Sequence, residues 1–205
     1  VHLACHGIWS ADGLRASGLR LAPLPAGMPA IFGQQDGLVP IPALLAQLRL
    51  PGCELAVLSA CESGLARRSA ADEPVSLPLA FLLAGARQVV ASLWPVADDA
   101  TLLLMDDFWR RWLGGTPAAQ ALLQAQRRLR GLHAAEAADA LLACRGAPAP
   151  GVDPVQIQDA DAQLTSIAAG LRAMPANARP YASPDYWGAF ICFGAPATAD
   201  QALQA

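Results

Sequence analysis

The sequence lacks the cysteine spacing that zinc-binding and disulfide-rich proteins show. It has five cysteines among 205 residues, an odd number, and no two of them are spaced as C-x-x-C. This argues against a zinc finger and against a secreted disulfide framework, and it favours a reducing, cytoplasmic location. The sequence also has no G-x-G-x-x-G motif, no Walker A motif and no metal-ligand spacing, so we expect neither a cofactor nor a metal.

Charged residues are scarce, and the basic ones are not clustered. Lys, Arg, Asp and Glu make up 15% of the chain, and the net charge is −3. The arginine pairs lie far apart along the chain, so nucleic acid is not an expected partner. The most apolar segment, residues 77–94, is interrupted by Arg87 and Gln88. It indicates a buried helix followed by a buried strand, so we do not expect a membrane partner either.

What the sequence does contain is an alternation of apolar strand and helix patterns. With 54% hydrophobic residues, the chain is long enough for one domain with a sizeable core. Strand patterns cover residues 1–5, 54–60, 88–94 and 186–194, and helix patterns cover residues 41–50, 77–86, 98–113 and 117–132. This alternation predicts an α/β fold, a layered domain with a mostly parallel sheet flanked by helices.

Three segments fall outside that alternation. Residues 10–35 are rich in Gly, Pro and Ala, and within them residues 17–24 predict a short edge hairpin. Residues 65–76 predict a polar loop. Residues 140–180 are expected to be an insertion or a loop region, in which residues 160–172 could hold a helix.

Two of the predicted strands end in residues that can do chemistry. One ends in a turn at His6 and Gly7, and the other ends at Cys61 and Glu62. Functional groups gather at the carboxyl ends of parallel strands, so the imidazole and the thiol meet if these strands are neighbours. An imidazole can take the proton of a thiol and leave a nucleophilic thiolate. The backbone N–H groups of Gly7 and Cys61 would then stabilise an oxyanion.

The alternative interpretation is that Cys61 fills the core, since free cysteine is among the residue types most often buried. We interpret the remaining cysteines as core or incidental residues, namely Cys5, Cys53, Cys144 and Cys192. His2 alternates with Leu3 along its strand and is interpreted as structural, and His133 as a surface residue at a helix end.

The segments around these strand ends resemble a known family. "HLACHG" at residues 2–7 and "LSACESG" at residues 58–64 resemble the paired signatures of CHAT domains. These are caspase-like cysteine peptidases, named for their association with TPR repeats and grouped with caspases, separases and gingipains. The resemblance continues over residues 36–61, 81–101, 117–129 and 184–194. Caspases proper carry Q-A-C-[RQG]-G about 50 residues after the histidine, whereas this chain has S-A-C-E-S-G at a similar distance.

The resemblance implies roles for residues at both strand ends. Cys61 would be the nucleophile, His6 the proton acceptor and donor, and Gly7 an oxyanion-hole donor. The segment 92–97 would form an edge that a substrate strand joins by main-chain hydrogen bonds. Its expected substrate-binding residues are Ser92, Trp94 and Val96, and Trp94 is as well explained by core packing.

Substrate preference is expected to depend on nearby acids. Several relatives cleave after arginine or lysine and use an acid in the pocket for that residue, and here the matching position is near the apolar Leu102. Asp98 and Asp99 are the acids close by, and either of them could face the pocket or cap the following helix. Glu62 could shape the pocket or be solvated. We expect a basic residue before the cleaved bond.

The resemblance also implies missing parts. Caspase-like sheets contain two strands before the one that bears the histidine, and this sequence begins at the histidine strand. We therefore interpret residues 1–205 as a single CHAT domain that is N-terminally incomplete and lacks the first strands of the family. Without them the strand at residues 1–5 has an open apolar edge. We expect the missing half upstream or on a separate chain, along with any TPR or sensor region.

The function that this resemblance implies is that of a cysteine endopeptidase acting on a protein substrate in bacterial signalling or defence, with gasdermin-like proteins among its targets. A second hypothesis is a catalytically silent caspase-like scaffold that binds a peptide strand without cutting it. A third is an acyl- or thiol-transferase with a similar dyad, for which the sequence offers no cofactor motif.

Overall fold

The computed structural model describes residues 1–3, 6–8, 10, 14–21, 37–59, 67–68, 74–146 and 152–195. The chain divides into two compact units. The first unit comprises residues 1–95 together with residues 189–205, and the second comprises residues 96–188.

The first unit contains the strands of the described part of the chain. Its strands are β1 (His2–Leu3), β2 (His6–Ile8), β3 (Gly18–Arg20), β4 (Leu38–Pro40), β5 (Leu55–Leu58), β6 (Arg67–Arg68), β7 (Pro74–Val75), β8 (Gln88–Ser92) and β9 (Phe190–Gly194). Four of them form one sheet in the order β1-β5-β8-β9. Strands β1, β5 and β8 are parallel, and β9 is antiparallel to β8. This arrangement confirms the predicted α/β fold with a mostly parallel sheet.

The core of the first unit forms between this sheet and two helices, α1 (Ile41–Gln47) and α2 (Leu77–Leu83). All four residues of β5 are buried, as expected for a parallel strand covered on both faces. Ala56 and Leu58 of β5 belong to the same apolar cluster as Phe81 of α2. The strand that leads toward Cys61 therefore rests on a packed helical layer.

The bounds of α2 follow from its local sequence. Ser76 precedes the helix, and its Oγ accepts a hydrogen bond from the Leu79 N–H at 3.4 Å. After the helix, Gly85 adopts a φ of 113°, a conformation that favours glycine. The chain then enters β8, as the sequence predicted for residues 88–94.

A smaller antiparallel sheet in the order β2-β3-β4 contains His6 and Gly7. The turn predicted at these two residues was wrong, because both of them pair with β3. The sequence predicted an edge hairpin over residues 17–24, but β3, which lies in this segment, is the central strand of the sheet. Residues 22–24 lie outside the described part. Gly18 allows the close approach of β3 to β4, since a Cβ there would press on the Val39 carbonyl oxygen.

The second unit is helical. Its helices are α3 (Asp98–Leu113), α4 (Ala118–Gly131), α5 (Ala134–Ala143), α6 (Pro154–Arg172) and α7 (Pro184–Trp187). α3 packs on α4, and α5 packs on α6. Asp107 of α3 joins the first pair by accepting hydrogen bonds from Arg111 at 2.7 Å and from Arg128 of α4 at 3.1 Å. Within the described ranges, no helix is long and apolar enough to cross a membrane.

The sequence predicted this unit less well than the sheet. α5 was not predicted, and α6 has 19 residues where only residues 160–172 were expected to hold a helix. The last strand was predicted over residues 186–194 but begins at Phe190. The aromatic run that suggested an earlier start belongs to α7, which begins after Ser183 with a proline in its first turn.

Candidate active site

The pairing of β1 with β5 sets the register of the two segments that lead to the predicted dyad. His2 lies opposite Val57, and Leu3 lies opposite Leu58. The residue numbers differ by 55 in both pairs. Because the two strands run parallel, their carboxyl ends lie at the same edge of the sheet.

His6 and Cys61 follow these two strand ends at equal distances along the chain, and their numbers also differ by 55. The backbone of His6 opens β2, while its side chain lies outside the described part, as do Cys61 and Glu62. Gly7 is half-buried within β2. The dyad, the oxyanion donors and the role of Glu62 therefore stay predictions.

A polar contact is present between the ends of β1 and β5. The His2 Nε2 lies 3.0 Å from the Ser59 Oγ, and this hydrogen bond is exposed. Sequence reasoning assigned His2 a structural role without identifying this partner. The available signal was Ser59 itself, a polar residue directly after a buried strand and inside the motif that contains Cys61.

The predicted substrate-binding segment begins at the end of β8. Ser92 is buried and pairs with Phe190 of β9. The next residue, Leu93, donates its backbone N–H to the Ala189 carbonyl oxygen at 2.9 Å. Trp94 and Val96 are partly exposed. Main-chain pairing with β9 thus extends one residue past β8, and the substrate contacts of Ser92, Trp94 and Val96 stay predictions.

Asp98 and Asp99 occupy the first turn of α3. The prediction that one of them caps this helix was wrong, because the N-cap position is Ala97, which makes no side-chain cap bond. Acidic residues in the first turn still interact favourably with the helix dipole. The Tyr181 hydroxyl donates a hydrogen bond to the Asp99 Oδ2 at 2.6 Å, and Asp98 is exposed.

Both aspartates line a cleft of about 200 Å³ between the start of α3 and the middle of α6. Its walls include the apolar side chains of Leu102, Leu164 and Ile167. Small-molecule sites usually have volumes of about 300–1,000 Å³, so this cleft matches a single side chain better than a cofactor. A lining that combines apolar walls with carboxylates suits a long side chain that ends in a positive charge.

Tyr181 is the partner that holds Asp99, and no sequence motif pointed to it. Its side chain is buried, and its ring packs edge-on against Tyr186 with centroids 5.5 Å apart. Burial raises the pKa of the Tyr181 phenol well above its ordinary value, and the hydrogen bond to Asp99 raises it further. The phenol therefore stays protonated and remains a donor to Asp99 in alkaline solution.

This pKa shift gives a prediction for the variant Tyr186→Phe, in which Tyr181 is the remaining tyrosine of the two in the chain. At pH 10, where about half of a free phenol is ionised, we expect little phenolate absorbance from the folded protein. Adding Asp99→Asn should lower the pKa of Tyr181 toward its ordinary value, since the carboxylate raises it. Because the pKa of Tyr181 is higher in the folded than in the unfolded protein, the protonated phenol stabilises the folded state. This contribution to the free energy of unfolding is complete below pH 10 and is lost as the pH rises further. Half-ionisation at pH 10 in the folded protein would contradict this account.

Two of the three described cysteines lack the features of activated thiols. Cys53, Cys144 and Cys192 are free and half-buried. Burial raises the pKa of the Cys144 and Cys192 thiols, which lowers their thiolate fraction at neutral pH. Among the described residues, no group of three or more His, Cys, Asp or Glu side chains could hold a metal ion.

The chain matches the model of a known protein family. The family model of the CHAT domain matches residues 1–195, which is nearly the whole chain. No curated protein matches the chain.

Proposed function

The chain belongs to the CHAT-domain family of caspase-like cysteine peptidases, and we propose that it is an endopeptidase that cleaves a protein substrate with His6 and Cys61. The observation that carries the proposal is the register of the sheet. β1 and β5 pair at a constant difference of 55, and the same difference relates His6 to Cys61. This register supports the placement of His6 and Cys61 at the same edge of the sheet. The argument depends only on the pairing of β1 with β5.

The proposed chemistry is acyl transfer to a thiolate. His6 takes the proton of Cys61, and the sulfur attacks the carbonyl carbon of the scissile peptide bond. The backbone N–H groups of Gly7 and Cys61 stabilise the negative oxygen that forms. The carbon–nitrogen bond then breaks, His6 protonates the leaving amine, and water hydrolyses the thioester. No metal or cofactor takes part in these steps.

A thiol-reactive probe tests this proposal directly. We expect a limiting amount of iodoacetamide to label Cys61 faster than the other four cysteines, as measured by peptide mass spectrometry. The selectivity should be lost in His6→Ala, because the thiolate then lacks its partner. The half-buried Cys144 and Cys192, whose pKa values are raised, serve as internal controls.

Equal labelling of the accessible thiols, unaffected by His6→Ala, would overturn the peptidase proposal and favour the peptide-binding scaffold. Selective labelling with turnover of acyl thioesters but no peptide cleavage would instead favour the transferase. The peptide assay is therefore run beside the labelling.

The cleft at the start of α3 supports a basic side chain in the substrate. Its apolar walls match the aliphatic stem of lysine or arginine, and Asp98 and Asp99 match the charged end. We include in the proposal a preference for substrates that carry such a residue. The residues of the cleft that support this preference all lie in the second unit.

We expect Asp98→Asn to lower kcat/KM for peptides with lysine or arginine by about 10- to 100-fold, since a charge-assisted hydrogen bond contributes about 1.5–3 kcal/mol. Peptides with norleucine in place of lysine should be unaffected. The matched control is Asp106→Asn in the same helix, whose carboxylate pairs with Arg110 and does not line the cleft. An equal loss for basic and neutral peptides would contradict the role of the cleft.

The cellular setting is also part of the proposal. An active thiolate needs a reducing compartment, which supports the cytoplasm. Membership of the family supports a role in bacterial signalling or defence, controlled by a TPR or sensor region and directed at a protein target such as a gasdermin-like protein.

A further inference from the structure

The hydrogen bond between His2 and Ser59 is a feature of the first unit that the proposed mechanism does not use. The His2 Nε2 and the Ser59 Oγ are 3.0 Å apart. His2 is the first residue of β1, and Ser59 directly follows the last residue of β5. The bond therefore joins the start of β1 to the residue just past the carboxyl end of β5.

The alternation of side chains along the strands explains why these two residues meet. Leu3 packs against the apolar cluster that contains Leu58, so His2 projects from the opposite face of the sheet. In an extended chain, residues two apart share a face, so Ser59 lies on the face of Val57, the residue opposite His2. His2 and Ser59 are thus diagonal neighbours on one face, within reach of a histidine side chain.

Ser59 is held to β1 twice. Its backbone N–H donates to the Leu3 carbonyl oxygen at 3.0 Å, and its side chain bonds to His2. The chain just past Leu58, which leads to Cys61, is therefore still hydrogen-bonded to β1, the strand that leads to His6. Cys61 lies two residues after Ser59, and His6 lies four residues after His2.

The chemistry of the pair suits a neutral hydrogen bond. Desolvation lowers the pKa of the His2 imidazole below its ordinary value. A neutral imidazole has one donor and one acceptor nitrogen, and a hydroxyl can serve as either partner. Both tautomers of His2 can therefore keep the contact with Ser59.

We propose that His2 and Ser59 are positioning residues that fix the end of β5 to β1 so that Cys61 is held in reach of His6. This inference rests on the proposed peptidase function. It assigns a role to two residues that neither contact the substrate nor exchange a proton with it. Their effect is on the geometry of the thiol and the imidazole, and hence on the thiolate fraction of Cys61.

The test is the pH profile of Cys61 alkylation by iodoacetamide in the full chain. We expect His2→Ala and Ser59→Ala each to slow alkylation at neutral pH by about 10-fold and to move the apparent pKa of Cys61 toward about 8.5, the value of a free thiol. The double variant should be no slower than either single variant, because the two residues act through one bond.

Conservative variants separate positioning from stability and from proton transfer. The amide of His2→Gln can reach the place of Nε2 without titrating, and Ser59→Thr keeps the hydroxyl. We expect both to restore the wild-type profile. His133→Ala, a histidine variant in the second unit, should leave the profile unchanged. Thermal unfolding of each variant shows that the measured protein is folded.

Three results would overturn the inference in distinguishable ways. Wild-type profiles in His2→Ala and Ser59→Ala, with slow alkylation in His6→Ala, would leave the peptidase proposal intact and remove the role of the pair. A His2→Gln variant as slow as His2→Ala would make His2 a proton acceptor. A wild-type Cys61 that reacts no faster than the other thiols would remove the peptidase proposal itself.

Discussion

We expect Cys61→Ala to abolish peptide cleavage and His6→Ala to lower kcat by about 10³-fold. Without the sulfur there is no nucleophile, and no covalent intermediate can form. Without the imidazole, the thiol is mostly protonated and the leaving amine receives no proton, and general acid–base catalysis typically contributes about 10²–10⁴-fold. These are the largest effects that the proposed mechanism predicts for any single substitution.

The measurement is cleavage of a mixed peptide library, followed by mass spectrometry. The variant that carries both His6→Ala and Cys61→Ala should have the same activity as Cys61→Ala alone, because the effects of substituting residues of one catalytic unit are not additive. Cys53→Ala and His133→Ala are the controls, and both should keep wild-type kcat. Residual activity of His6→Ala near the wild-type value would mean that another group takes the proton.

We expect Phe81→Ala to lower the free energy of unfolding by about 3–5 kcal/mol, the usual effect of truncating a buried phenylalanine. Phe81 is 2% exposed and belongs to the apolar cluster beneath β5. Its removal leaves a cavity between α2 and the strand that leads to Cys61. At a temperature where Phe81→Ala is still folded, its kcat should fall by a smaller factor than the change in the free energy of unfolding corresponds to.

The matched control for this prediction is in the same helix. Leu83 is 68% exposed, so Leu83→Ala should change the free energy of unfolding by less than about 0.5 kcal/mol. Urea unfolding of both variants, at equal protein concentration, measures the difference. Equal losses in the two variants would show that α2 does not pack against the sheet as described.

The central strands and the helices beside them could be predicted because their signals are local. β5 and β8 are short apolar runs that end at polar or turn-forming residues, and α3 ends at a pair of glycines. Such patterns can be recognised without knowing which segment each strand or helix packs against. The mostly parallel character of the sheet followed from the alternation of strands with helices, whereas the order of β1, β5 and β8 was not predicted.

Contacts between distant segments could not be predicted in this way. His6 and Gly7 were expected in a turn, but β3 pairs with them from more than ten residues away. Tyr181 bonds to Asp99 across 82 residues, and His2 bonds to Ser59 across 57. α6 was underestimated because the segment around it is rich in Pro and Gly with acids interspersed, a composition typical of a loop, although Asp153 and Pro154 provide an N-terminal signal.

The most direct test of the account is the distance between the His6 imidazole and the Cys61 sulfur in a crystal structure of the full chain. We expect a ring nitrogen within about 3–4 Å of the sulfur, at the carboxyl edge of β1 and β5 and open to solvent. A separation of more than about 6 Å, or a sulfur enclosed in the apolar core, would contradict it.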